Sequence, residues 1–200
     1  MLAVGAHSDD IELGAGGTVL RLLRDIPAAR ITWVVLSATG ARRDEADRSA
    51  RAFLGTASAS VAVHDFRDGH FPYQGSAIKE VFEGLKPARP DLILTHRRED
   101  LHQDHRLVAE LTWQTFRDHL VLEYEIVKFD GDLGSPNLFV PLEHDDVERK
   151  VALLESGFPS QHGRSWFDAE AFRSILRLRG IESNSPSGYA EAFTCRKIVI

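Results

Sequence analysis

Two short polar segments carry residue types that bind metal ions and move protons: His7-Ser8-Asp9-Asp10 and Asp100-Leu101-His102-Gln103-Asp104-His105. Imidazole nitrogens and carboxylate oxygens suit a catalytic zinc, which keeps three protein ligands and one open position. His7 and Asp10 stand three residues apart and can converge on one ion from either side of a tight turn. Asp9 between them projects differently, and a carboxylate left off the ion can act as general base on an activated water. A helix cap explains one aspartate, but not two and a histidine. His105, at the start of a helix, completes the ligand set His7, Asp10 and His105. His102 can stabilise a developing oxyanion or protonate a leaving amine, and Asp104 can hold the His102 ring in one tautomer. The competing interpretation of the second segment is a polar loop with helix-capping acids.

The elements around these segments decide whether they meet. Leu2–Ala6 reads as a buried strand followed by a helix over 11–25, with Leu13, Val19, Leu20 and Leu23 as its apolar positions. The β-branched run Ile31–Leu36 is the clearest strand, Asp44–Leu54 reads as a helix, and Ser60–Phe66 alternates as a third strand. A helix over Ile78–Leu85 stops at Lys86-Pro87, and a strand spans Asp91–Thr95. Arg106–Leu120 reads as a helix with Leu107, Val108, Leu111 and Phe116 inward. Beyond it the pattern is less regular: a strand within Val121–Phe129, helices over Asp145–Glu155 and Asp168–Leu178, loops at 131–136 and 180–188, and a last strand at Lys197–Ile200. Strands alternating with helices predict an α/β fold, a Rossmann-like mostly parallel sheet with helices on both faces and strand order near 3-2-1-4-5. In that order the first and fourth strands are neighbours. The two polar segments, some ninety residues apart in the chain, then face each other at the carboxyl ends of the strands, where open α/β sheets bind ligands.

Composition narrows the class. The 200 residues, 43% hydrophobic and 27% charged, support a single domain over 1–200 and exclude wholesale disorder. A net charge of −6 argues against nucleic acid as the main partner, because phosphate binding needs a basic surface. The one cysteine, Cys195, excludes an intramolecular disulfide framework and a thiolate zinc cluster. No apolar run reaches the length of a membrane span and no leader is evident, so a cytoplasmic protein is expected. A homo-oligomer is left open. Gly14-Ala15-Gly16-Gly17-Thr18 invites a phosphate-loop reading, but its spacing fits no nucleotide motif and two carboxylates precede it. Close helix packing is the expected role of these glycines.

Ala6-His7-Ser8-Asp9-Asp10-Ile11-Glu12-Leu13-Gly14, with Gly16-Gly17-Thr18, resembles the Ala-His-Pro-Asp-Asp-Glu signature of the LmbE/PIG-L family of zinc-dependent N-acetylglucosaminyl deacetylases. His102-Gln103-Asp104-His105, preceded by Asp100, resembles that family's His-x-Asp-His signature, and Tyr189-Ala190-Glu191-Ala192-Phe193 a further element. The resemblance implies a Rossmann-like fold and removal of the N-acetyl group from an N-acetylglucosamine-type amino sugar or sugar conjugate. It implies zinc on His7, Asp10 and His105, with Asp9 as the base and His102 and Asp104 in charge stabilisation. It also implies an arginine after the second strand that binds substrate, for which Arg43 is taken ahead of Arg42. Ser8 replaces the signature's proline, Ile11 an acid and Ala15 a frequent cysteine. None of these departures removes a proposed chemical group.

His96 ends a strand close to the second segment and is expected to pack or support rather than to ligate. His64, His70, His119, His144 and His162 have no partner at metal spacing. Gln161 belongs to a Ser-Gln pair seen in the family, without a chemical role. Phe71, Tyr73 and Trp166 are candidates for lining a sugar site or for the core. Two rivals stand beside the deacetylase: an amidase for another acylated amine, and a non-catalytic sugar-nucleotide binding module, which would have no use for Asp9.

Overall fold

The computed structural model describes residues 1–198. Along the chain run β1 (Leu2–His7), α1 (Asp10–Asp25), β2 (Arg30–Ser37), α2 (Ala41–Leu54), β3 (Ser58–Val63), α3 (Gly75–Leu85), β4 (Leu92–His96) and α4 (Gln103–Thr115). They are followed by β5 (Leu120–Tyr124), β6 (Leu138–Pro141), α5 (His144–Gly157), α6 (Ala169–Glu182) and β7 (Ala190–Thr194). One sheet takes all seven strands in the order β3-β2-β1-β4-β5-β7-β6. The first five pair in parallel, and β7 runs antiparallel between β5 and β6. The expected α/β class and the 3-2-1-4-5 order are both found.

Alternation along the central strands explains why helices cover both faces. Ala3, Trp33, Val35, Leu94 and Leu122 point to one side, where Ile11 and Val19 of α1, Phe53 of α2 and Leu154 of α5 pack on them. Leu2, Val4, Val34, Leu36, Ile93 and Val121 point to the other, against Ile78 and Phe82 of α3 and Val108 and Leu111 of α4. Right-handed crossovers dictate this split: the connections run outward from β1 to β3 on one face, then return past β1 and continue on the other. β1 at the centre is buried along its whole length, and it is this strand that delivers His7.

Helix α1 lies unusually close to its neighbours. A Cβ at Gly14 would overlap the Tyr124 ring, and one at Gly17 would lie 2.5 Å from Leu142 Cδ1. The glycines therefore serve close packing, as expected. Lys150 on α5 donates to the Leu13 carbonyl at 2.6 Å, while the Gly17 and Thr18 amides donate to Glu191 on β7 at 2.7 and 2.6 Å. Lys150 and Glu191 also pair with each other at 2.6 Å, both buried. A buried ion pair thus clamps the middle of α1 to the last strand.

The larger differences in the elements begin at the end of α4. The helix ends at Thr115 rather than Leu120: Phe116 is its C-cap and turns into the core, and Leu120 opens β5. β6 and β7 are strands where none was expected. β6 is four residues ending in proline at a sheet edge, and β7 reads Ala-Glu-Ala-Phe-Thr, so pairing partners rather than local propensity create both. The strand expected at Lys197–Ile200 is not formed at Lys197 or Ile198, and its last two positions lie outside the described residues. Among the described residues no helix is long and apolar enough to cross a membrane.

Candidate metal centre

β1 ends at His7 and α1 begins at Asp10, leaving Ser8 and Asp9 as the turn between them. β4 ends at His96, and α4 begins after His102, its N-cap. Because β1 and β4 are paired neighbours, the two polar segments meet. His7 Nδ1 lies 3.1 Å from His105 Nε2 and 3.4 Å from Asp10 Oδ2, and the third side of the triangle, His105 Nε2 to Asp10 Oδ2, measures 3.6 Å. Tetrahedral zinc with bonds of about 2.0–2.1 Å spaces its ligands about 3.4 Å apart. The donor triangle therefore has the dimensions for one such ion. Three other groupings also bring such donors together, His7–His102–His105, Asp10–His96–His105 and His7–Asp68–Asp104, and each shares at least one member with this triangle.

His96 backs this triangle. Its ring stacks on that of His105, 3.9 Å between centroids and 20° between planes. Imidazole lone pairs lie in the ring plane, so two stacked rings do not aim at a common point. His96 Nε2 instead lies 2.9 Å from the Ala6 amide and 3.1 Å from Asp10 Oδ2. Asp100 Oδ2 lies 3.0 Å from His105 Nδ1, orienting that ring from behind, and Lys128 Nζ stands 3.2 Å from the same carboxylate.

Two of the three donors, His105 and Asp10, are held in the state that ligation needs, while His7 binds a proton that an ion would displace. Burial and the neighbouring His96 push His105 down to about 4, which leaves its lone pair free. Burial opposes ionisation of Asp10, but His105, His96 and His7 outweigh it and hold its carboxyl well below the usual range. Burial also disfavours a charged His7, yet Asp10, Asp104 and Asp68 raise its pKa well above the ordinary value. The cluster therefore attracts positive charge. Asp68, on the loop before α3, lies 3.0 Å from His7 Nε2 and is drawn down to about 2 by that contact.

Asp9 is buried at the N-cap position of α1 and makes no side-chain cap bond, so helix capping does not account for it. Its Oδ1 accepts from Arg42 Nη2 at 3.3 Å, while Oδ2 is buried and has no hydrogen-bond partner among the described residues. Burial, then the charge of Asp10, push its pKa up to about 6 against the pull of Arg42. His102 Nδ1 accepts the Asp104 amide at 3.3 Å, which leaves the ring proton on Nε2. The expected Asp104–His102 side-chain pairing is not formed. Asp104 instead turns inward, where its oxygens take the Gly69 and Phe71 amides at 2.7 and 3.0 Å and His7 Nε2 at 3.3 Å. Backbone, not carboxylate, sets the His102 tautomer.

Arg43 also departs from its expected place. It is exposed and borders an outer depression with Asp47 and Arg48, whereas Arg42 enters the cleft and bonds Ser8 Oγ at 3.0 Å. Consecutive helical residues diverge by about 100°, so only one of the two can face the turn. The cleft opens over His7, Asp9, Asp10, His102 and His105. Gln161 and Trp166 line it, while Phe71 is fully buried beside His7 and Tyr73 is exposed. Asp68, Lys128 and Phe129 line it as well. Sequence reasoning passed over these three because each sits alone in a loop without a motif, and only chain closure brings them to the site.

A family model for GlcNAc-PI de-N-acetylase, PIG-L, matches residues 2–116. The chain belongs to the PIG-L family. The matched region runs from β1 to the end of α4 and contains both polar segments. Solved structures share the whole fold. N,N′-diacetylchitobiose deacetylase from Pyrococcus horikoshii is 20% identical, with 97% of this chain and 82% of that one covered at a TM-score of 0.73. GalB, the 4-carboxy-2-hydroxymuconate hydratase from Pseudomonas putida, is 19% identical, with 100% and 96% covered at 0.78. The conserved protein TT1542 from Thermus thermophilus is 20% identical, with 100% and 95% covered at 0.77. At these identities the likenesses establish the fold of this PIG-L member.

Proposed function

We propose that this PIG-L protein is a zinc-dependent deacetylase that hydrolyses the N-acetyl amide of an N-acetylglucosamine-type sugar or sugar conjugate. The observation that carries the reading is the donor triangle of His7 Nδ1, Asp10 Oδ2 and His105 Nε2, 3.1–3.6 Å on a side, with the unpartnered Asp9 Oδ2 next to it. A zinc ion held by those three donors supplies Lewis acidity toward a carbonyl and toward water. Asp9 accepts the water's proton at Oδ2, the oxygen that Arg42 leaves free. His102 presents its Nε2 proton as a hydrogen bond to the amide oxygen as charge builds there, and the proton that Asp9 has taken from water is the one passed on to the leaving amine. Asp100 and Asp104 fix the rings of His105 and His7, and Arg42 offers guanidinium donors to sugar hydroxyls. The family's name and the diacetylchitobiose deacetylase of the same fold support an acetylated amino sugar as the substrate.

The test is amine release from a panel of free, nucleotide-linked, lipid-linked and polymeric N-acetyl sugars, with metal content measured on the same sample. Stoichiometric zinc and amine release that vanishes in Asp9→Asn are expected. Because GalB shows this fold serving a hydratase, the panel includes an unsaturated dicarboxylate and a non-sugar acylated amine. Tight sugar-nucleotide binding without turnover, or loss of a double bond instead of amine release, would replace this reading.

A further inference from the structure

The cleft lining mixes polar side chains, among them Arg42, Asp68, Lys128 and Asp130, with the apolar surface of Leu13, Val127, Phe129 and Trp166. Phe129 is the outlier among them, a phenyl ring 76% exposed at the mouth of a ligand cleft. It belongs to the connection between β5 and β6, and that connection is tied down on both sides of the ring. Glu125 pairs with Arg179 at 2.6 Å, and Lys128 bridges Asp100 and Asp132. The Leu101 amide donates to Asp132 at 2.7 Å, and Arg179 Nη2 donates to the Gly134 carbonyl at 3.0 Å. The segment that carries the exposed ring is thus anchored on both sides of it. The two loops joined through Asp132 carry further exposed apolar side chains, Leu101 at 57% and Leu133 at 43%. An exposed aromatic ring that lines a cleft offers apolar area that a bound ligand can cover.

We propose that Phe129, with the apolar lining residues Val127 and Trp166, forms a subsite for an apolar substituent, aryl or alkyl, carried by the substrate next to its amino-sugar unit. The subsite rests on the cleft assigned above, and it narrows the substrate class to conjugates in which a polar acylated sugar adjoins an apolar group.

The experiment is calorimetric titration of the zinc-supplemented full chain with three probes: N-acetylglucosamine, its phenyl β-glycoside and its hexyl β-glycoside. Turnover of the same probes is followed in parallel. The phenyl or hexyl glycoside binds about tenfold more tightly than the free sugar, a margin that one covered aromatic face can supply. Phe129→Ala removes that margin, Phe129→Tyr retains it for the phenyl probe, and the melting temperature of both variants stays at the wild-type value because the ring is exposed. Whichever glycoside shows the larger gain identifies the apolar group as aryl or alkyl. Equal affinity for all three probes, or a margin that survives Phe129→Ala, overturns the subsite. Amine release without an apolar preference would sink the subsite and spare the deacetylase reading. An apolar preference that depends on Phe129 but comes without amine release would do the reverse.

Discussion

Each polar side chain at the site has a distinct task, and substitutions should separate those tasks. Asp9→Asn keeps the shape of the turn but removes the proton acceptor, so kcat should fall by about 10²–10⁴-fold while bound metal, measured by plasma emission, is unchanged. Loss of metal along with activity would instead make Asp9 a ligand. Asp100→Asn weakens the hold on His105 Nδ1, and metal affinity measured against a chromogenic chelator should drop about 10–100-fold. Arg42→Ala should raise KM, whereas Arg43→Ala should leave it alone; the reverse pattern would restore the sequence expectation. The meeting of the two polar segments was legible because each sits at a strand's carboxyl end, where a known sheet order brings them together. The partner of Asp104 was not legible. Its carboxylate reaches the amides of Gly69 and Phe71, and no spacing in the sequence shows that this loop closes over α4.

At the scale of the elements, α1 is the piece on which the site depends. Its first turn carries Asp10, and its middle is held by the Lys150–Glu191 pair. Glu191→Ala would leave the Lys150 ammonium buried without a counter-charge, at a cost of about 3–5 kcal/mol read from urea unfolding. The double change to two methionines should cost less than Glu191→Ala alone, and additive losses would show that the pair is not coupled. Gly14→Ala should also destabilise, since its methyl would meet the Tyr124 ring. The parallel strands were readable from runs such as Ile31–Leu36, which combine β-branched residues with burial on both faces. β7 was not, because Ala190, Glu191 and Ala192 have little strand preference and are extended by their partners on either side. The end of α4 was misplaced for a related reason: Phe116 keeps the helical phase of apolar residues, but its burial serves the turn into β5.

For the whole molecule, the proposed ion is a ligand of the native state alone, since only folding assembles its donors. Free zinc at about one hundred times its Kd should stabilise the chain by about 2.7 kcal/mol, seen as a rise in melting temperature that a chelator reverses. His105→Ala should abolish that rise, and a zinc response that persists in this variant would place the ion elsewhere. The position of β7 has a further consequence, for the order in which the protein can form as it is made. β6 leaves the ribosome roughly fifty residues before β7, yet among the described residues its one sheet neighbour is β7. Until residues 190–194 emerge, β5 has an open edge, β6 has no place in the sheet, and Lys150 waits without Glu191. The parallel half can assemble during synthesis, but the clamp on α1 must close late. A ribosome-stalled chain lacking β7 would therefore carry every proposed metal ligand while the helix that presents Asp10 is still unfastened.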